Sequence, residues 1–381
     1  MATRIKAVVL DLVGYAMDWL NAFGNEDNLE LCEIITLDES SPIPLWELNN
    51  YDNWDYLLVF ENGVNERVRH LLEHIGIDEK RVIYPLGDVG GSLYEHRFIS
   101  SYIFREYIGK MLDYYSHRKD GEKYAMVSVE DMSYINVSSD NVILPEMIRT
   151  EKNWAYDDLK LFHRLSHEYF EFDDTQDIFC DIGANIGTTC IYFKEKLDRD
   201  VCIMAFEPSS ENYKLLKVNF MLNNIEIVDH MLVNKGLSDK KSVAELSYTP
   251  YNPGASSLLA YGSDAKEMVE LVSFDEYLEE NNVDAARLKY LWIDVEGYEA
   301  RFLAGANKTL DCINVPVFIE FIPRFYMGKE GEFDLLMSEL EKHFQYFICK
   351  DELDKGKQSI DRLRKEQNNF ELMWDLFLFK R

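Results

Sequence analysis

Five acidic residues, each delivered with an apolar run, set the chemical question. Asp181 follows Ile178-Phe179-Cys180, Glu207 closes the run Val201–Phe206, Asp294 and Glu296 follow Tyr290–Ile293, and Glu320 lies within Pro316–Phe321. A carboxylate at the end of a buried strand can accept hydrogen bonds from paired hydroxyls or take a proton from a reacting group. Acids at 294 and 296 in so apolar a setting are costly unless each has a partner, so they invite a functional explanation. The plainer alternative is that Asp294 caps a helix beginning at Gly297.

The element that must position them first is Asp177–Thr189, DIFCDIGANIGTT. Its apolar run reads as a strand, and Gly183-Ala184-Asn185-Ile186-Gly187 then opens an amphipathic stretch reaching Lys196. A glycine at a strand end lets a ligand approach the backbone, and a following helix presents unpaired N–H groups. A nucleotide-like cofactor is therefore expected. A dinucleotide fingerprint would read G-x-G-x-x-G, yet Asn185 stands where a middle glycine belongs and an acid precedes Gly183 by two positions. The pattern D-x-G-A-N-x-G is similar to S-adenosylmethionine-binding loops instead. Glu207, suited to both hydroxyls of an adenosyl ribose, fits NAD equally well by its spacing.

Further along, the chain resembles the FkbM-type family of S-adenosylmethionine-dependent methyltransferases. The resemblance rests on Asp181–Gly187, on Phe206-Glu207-Pro208 before a helix carrying Asn212 and Asn219, and on Leu237-Ser238-Asp239 with the later Gly254-Ala255-Ser256-Ser257. It continues through Ile293–Gly297 and Phe318-Ile319-Glu320. Motifs in one order are far more specific than any one of them. The resemblance implies S-adenosyl-L-methionine as cofactor, with Asp181, Gly183, Asn185, Gly187, Glu207, Ser238, Asp239 and Asp294 on its side of the site. Ser256 and Ser257 match the family's paired serines and are expected toward the substrate. Ser238 and Asp239 have an equal alternative as a turn with Lys240 and Lys241, and serines near glycine are commonly turn chemistry.

The pattern downstream supplies the rest of an α/β core. A helix is expected at Asn212–Met221, strands at Met231–Lys235 and Ser242–Tyr248, a loop at Thr249–Asp264, and strands at Gln345–Cys349 and Phe370–Phe379. The closing pair of strands resembles the sixth and seventh strands of class I methyltransferases, which NAD-binding domains lack. The expected fold is therefore α/β, a class I methyltransferase Rossmann-like seven-stranded sheet with an antiparallel last strand.

Ahead of it, residues 1–91 alternate strands and helices, with strands at Lys6–Leu10, Leu29–Thr36, Tyr56–Phe60 and Arg81–Tyr84 and helices at Gly14–Phe23 and Asn65–His74. That pattern implies a smaller N-terminal parallel α/β domain. It loosely resembles Rossmann-like modules ahead of glycan-pathway enzymes, but Asp11-Leu12-Val13-Gly14-Tyr15 keeps one glycine where three are needed, so a scaffold or docking role is expected. Leu86–Ser92 is the linker. The methyltransferase domain is placed at 92–381, with a helical and hairpin lead-in at 92–176 and the catalytic core at 177–381. In the lead-in, Phe104, Ile108, Met111, Leu112 and Tyr115 share a helical face, and Trp154–Phe170 is a helix. Its His163 and His167, four apart, lack a third ligand, so no metal is expected.

Composition bounds the partners. The formal charge of −29 on 381 residues argues against nucleic acid or an anionic membrane, both of which need clustered Lys and Arg. No run spans a membrane or reads as an export signal, so a cytoplasmic location is expected, and six scattered cysteines read as free thiols. A homo-oligomer is left open. The expected function is O-methylation of a hydroxyl on a sugar, glycan or other small metabolite, with a carboxylate taking the proton. Glu296 is the first choice of base and Glu320 the second, because Asp294 is a cap or a cofactor contact. The alternatives are an NAD-dependent oxidoreductase and a non-catalytic S-adenosylmethionine-binding module.

Overall fold

The computed structural model describes residues 5–11, 29–36, 56–60, 82–83, 123–140, 142–249, 252–259 and 266–380. The chain divides into two compact units, Met1–Glu130 with Asn136–Lys152 and Asp131–Ile135 with Asn153–Arg381. In the first, β1 (Ile5–Asp11), β2 (Leu29–Thr36), β3 (Tyr56–Phe60) and β4 (Val82–Ile83) form a sheet in the order β2-β1-β3-β4. Every pair in it is parallel, as the alternating pattern predicts. The helices expected between these strands, the linker at 86–92 and the face running from Phe104 to Tyr115 lie outside the described residues. Two short strands follow, β5 (Tyr124–Val129) and β6 (Met132–Val137).

The second unit contains β7 (Ile178–Ile182), β8 (Cys202–Phe206), β9 (Leu232–Val233), β10 (Gly236–Leu237), β11 (Ser242–Thr249), β12 (Asn252–Ser257) and β13 (Lys266–Val272). It continues with β14 (Leu288–Ile293), β15 (Val317–Phe321), β16 (Tyr346–Cys349), β17 (Gln358–Ser359) and β18 (Trp374–Phe379). The main sheet is mixed and runs β17-β16-β18-β15-β14-β7-β8-β9. Strands β9, β8, β7, β14 and β15 are mutually parallel, while β18 lies antiparallel to both β15 and β16.

Eight strands stand where the sequence leads one to expect seven. The extra one is β17, two residues paired antiparallel with Tyr346 and Phe347 inside a charged connection that otherwise coils into 3-10 turns. A two-residue edge strand has no periodicity to announce it. The antiparallel last strand is β18, in register from Val317 opposite Leu378 to Phe321 opposite Trp374.

A second correction concerns the loop expected at Thr249–Asp264. Asn252–Ser257 is a strand, β12, paired with β11 in a four-stranded sheet of order β10-β13-β11-β12. Its sequence, NPGASS, shows no apolar alternation; β11 imposes the extended form, and β13 anchors β11 through six register pairs from Ser242–Leu271 to Ser247–Lys266.

The core explains why the central strands read as unbroken apolar runs. All five residues of β7 are buried, because helices cover both faces of a parallel sheet. On one face Phe179, Trp292, Phe318 and Phe377 form an aromatic layer, with Trp292 stacked on Phe318 at 3.6 Å. Phe162, from the helix Tyr156–Tyr169, packs into that layer with ring distances of 5.5 Å to Trp292 and 6.0 Å to Phe377. On the other face Cys180, Leu291 and Ile319 join Phe302, Leu303, Leu336 and Leu340 from the following helices. The same rigid sheet sets where the carboxyl ends of β7, β8, β14 and β15 emerge.

Candidate active site

Because those four strands are parallel, the residues just past them gather along one edge of the sheet. A cavity opens there. Gly183, Asn185, Glu207, Ser256, Asp294 and Glu296 all line it. The sequence reading therefore brings together the glycine loop and three of its five acids.

The loop is held by backbone geometry. Gly183 takes φ +94°, and a Cβ there would sit 1.7 Å from the Asp294 carbonyl oxygen, so only glycine lets the end of β7 close against the end of β14. The Gly183 and Ala184 N–H groups both donate to the Phe206 carbonyl at 3.0 Å. Asn219 is wholly buried and donates from Nδ2 to the Ile186 carbonyl at 2.9 Å, fixing the loop to the helix Ser210–Leu222. Gly187 acts by packing: its φ is +87°, and a Cβ would meet Leu216 at 2.5 Å.

Glu207 is 4% exposed and has two built-in partners. Its Oε2 accepts the Asn185 N–H at 2.8 Å and its Oε1 the Ser209 N–H at 2.7 Å. A carboxylate has about four acceptor positions, so roughly two remain for donors in the cavity. Asn185, held at φ +48°, lines the same wall, and its buried Oδ1 has no hydrogen-bond partner among the described residues. An acceptor wall of this kind fits a ligand carrying hydroxyl and ammonium donors, which an adenosyl amino acid does. Lys235 lines the wall as well, paired with Glu270; no motif marks it, only its place between β9 and Gly236.

The remaining expected residues divide. Asp181 lies beneath the loop, 1% exposed, and accepts from the Cys190 thiol at 2.9 Å, outside the cavity lining. Ser238 is buried with its Oγ 3.1 Å from Asp239 Oδ1 and 3.4 Å from the Tyr298 hydroxyl. Asp239 pairs with Arg301, which also clasps Glu332, so both residues sit behind the lining. Ser256 faces the cavity, whereas Ser257 is buried and donates to the Glu296 carbonyl at 2.8 Å. Among the described residues no group of three or more His, Cys, Asp or Glu is arranged to hold a metal. The His163 and His167 Nε2 atoms face each other at 3.1 Å.

Glu296 occupies the left-handed region at φ +50°, a conformation that costs a non-glycine residue about 1–2 kcal/mol. Asp294 lies two residues before it on the same rim, with part of its surface open to the cavity. Burial first, then the charges of Asp181, Glu299, Asp375 and Glu207, push its carboxyl up to about 8. Glu320 follows Ile319, which is in register with Ile293; burial and then Asp294 and Glu296 raise its pKa well above the ordinary range, and among the described residues its Oε2 has no hydrogen-bond partner. Glu320 does not line the cavity.

Desolvation pushes Asp181 and Glu207 each up to about 7. A buried acid with a raised pKa holds its proton in the folded chain where the unfolded chain has lost it, so stability falls as pH rises through that window. The unliganded protein should melt at a higher temperature at pH 6 than at pH 8, and Asp181→Asn should flatten this difference. A flat wild-type profile would show that these carboxyls are already ionised.

A glycine loop and a buried carboxylate at the edge of a parallel sheet are the arrangement with which α/β enzymes bind nucleotide-type cofactors. The comparisons narrow the class. Residues 181–349 match the model of the methyltransferase FkbM domain, and the cofactor is S-adenosyl-L-methionine. The hexuronic acid methyltransferase AglP of Haloferax volcanii is 24% identical over 164 residues, which cover 43% of this chain. The match takes in 64% of that relative's length. A tRNA (uracil-54, C5)-methyltransferase of Pyrococcus abyssi, solved with S-adenosyl-L-homocysteine, aligns at 11% identity with a TM-score of 0.32, covering 69% of this chain and 44% of its own. A similarity that low carries no functional weight.

Proposed function

We propose that the chain transfers a methyl group from S-adenosyl-L-methionine to a hydroxyl oxygen of a sugar, glycan or other small metabolite. The observation that carries this reading is the rim of the cavity: Asp294 and Glu296 stand at the end of β14, across from the diol-binding Glu207 at the end of β8. AglP, a hexuronic acid methyltransferase by name, supports a sugar acceptor. The order β9-β8-β7-β14-β15-β18-β16 is read as the seven-stranded class I methyltransferase sheet with β17 added at its edge. No described helix is long and apolar enough to cross a membrane, and a cytoplasmic setting is part of the same reading.

The bound cofactor supplies an electrophilic sulfonium methyl. This chain's residues would do the rest. Glu207 and Asn185 hold the nucleoside and amino acid ends, the loop at Gly183 excludes water, and Glu296 accepts the acceptor's proton as the new O–C bond forms. An alcohol is far too weak an acid to ionise beforehand near neutral pH, so the proton leaves late and needs a carboxylate already in place.

The test begins with the cofactor. S-adenosylhomocysteine should raise the melting temperature, since it binds the folded state. Glu207→Ala should remove most of that shift, because a carboxylate accepting two ribose hydroxyls contributes on the order of 2–4 kcal/mol. A shift with NAD and none with the homocysteine compound would overturn the assignment in favour of an oxidoreductase. Labelled methyl transfer into a panel of free sugars, nucleotide sugars and cell glycans then tests the acceptor class. Cofactor binding without transfer to any of them would favour a binding module.

A further inference from the structure

The turn that presents Glu296 is pinned from beneath by a residue outside every motif read for chemistry. Glu299 is 1% exposed, and among the described residues its side-chain hydrogen bonds come from neutral groups. Its Oε1 accepts the Gly297 N–H at 3.0 Å and the Tyr326 hydroxyl donates to its Oε2; burial raises its pKa, and these hydrogen bonds, with the Val295 amide, oppose that rise. Tyr326 is itself 5% exposed. From the other side Ser257 Oγ donates to the Glu296 carbonyl. Between these two clasps the backbone passes through φ +50° at Glu296 and +95° at Gly297.

A carboxylate is an expensive thing to bury, and a non-glycine residue in the left-handed region, as Glu296 is, persists only where its surroundings over-determine it. Both costs fall on one turn, whose exposed product is the direction of the Glu296 side chain. We propose that Glu299 and Tyr326 are a positioning pair that locks the Asp294–Gly297 turn and so aims Glu296 at the acceptor. This rests on the reading of Glu296 as the base.

The test uses the full chain with Glu299→Ala, Glu299→Gln and Tyr326→Phe. Amide hydrogen exchange over residues 294–298 should accelerate by about tenfold or more in Glu299→Ala and by about threefold in Tyr326→Phe, with the rest of the sheet unchanged. Glu299→Gln, whose amide oxygen still accepts from Gly297, should recover most of the protection. Affinity for S-adenosylhomocysteine should stay within about threefold throughout, and with a methylated acceptor kcat should fall in the same order while KM holds. Unchanged exchange in both Glu299→Ala and Tyr326→Phe overturns the proposal. So does acceleration spread evenly over the sheet, which marks a purely structural role, or local acceleration with undiminished kcat. If the wild type methylates nothing, the functional reading fails, while the exchange data still decide whether Glu299 holds the turn.

Discussion

Glu296→Gln should keep affinity for S-adenosylhomocysteine within a few fold while lowering methyl transfer by roughly 100-fold or more. Glutamine is nearly isosteric, so the left-handed backbone at φ +50° and the Ser257 clasp on the Glu296 carbonyl should survive. What is lost is a group able to take the proton. The residues proposed to hold the cofactor are elsewhere in the cavity: Glu207 is engaged by the Asn185 and Ser209 amides, and Asn185 offers an Oδ1 that has no hydrogen-bond partner among the described residues. Glu320 is the rival. Burial first, then Asp294 and Glu296, raise its pKa, and it does not line the cavity. The variants are distinguished by measuring kcat and cofactor affinity together. A fully active Glu296→Gln beside a dead Glu320→Gln would transfer the role to Glu320, and two active variants would leave proton removal to water or another group.

The sequence made some of this legible because buried parallel strands leave little choice of residue. The apolar run ahead of Gly183 is β7, buried along its whole length, and the acids that end β8 and β14 had to emerge at the same edge once the strands were parallel. Register did the work there. Direction did not come with it: Asp181 lies within the same strand, but its side chain faces Cys190 beneath the loop and not the cavity. Nor did the sequence mark Glu299, since an acid in the first turn of a short helix is commonplace on electrostatic grounds. Its burial depends on Tyr326, distant in the chain and brought close only by the fold. The strand β12 was hidden for the related reason that pairing with β11, not side-chain pattern, makes it extended.

The glycines show how sharply a close approach can be separated from a conformational preference. Gly183→Ala should cost more than about 3 kcal/mol and abolish cofactor binding, whereas Gly328→Ala should cost only about 1–2 kcal/mol and leave binding intact. Both residues have positive φ, +94° and +71°, so both substitutions meet the left-handed penalty. Their surroundings differ. Among the described residues a Cβ at Gly328 meets nothing within 4 Å, while one at Gly183 would lie 1.7 Å from the Asp294 carbonyl oxygen and 2.8 Å from its carbon. That obstacle is backbone at the end of β14, where the Asp294 N–H also donates to the Ile182 carbonyl at 2.9 Å. Relief therefore requires β7 and β14 to part at the carboxyl edge, which carries Asp294 and Glu296 away from the loop. Chemical denaturation of the two variants, with S-adenosylhomocysteine titration of whichever remains folded, measures the difference. Equal costs would show that the loop and the end of β14 do not touch, and with that the placement of the base beside the cofactor site would fall.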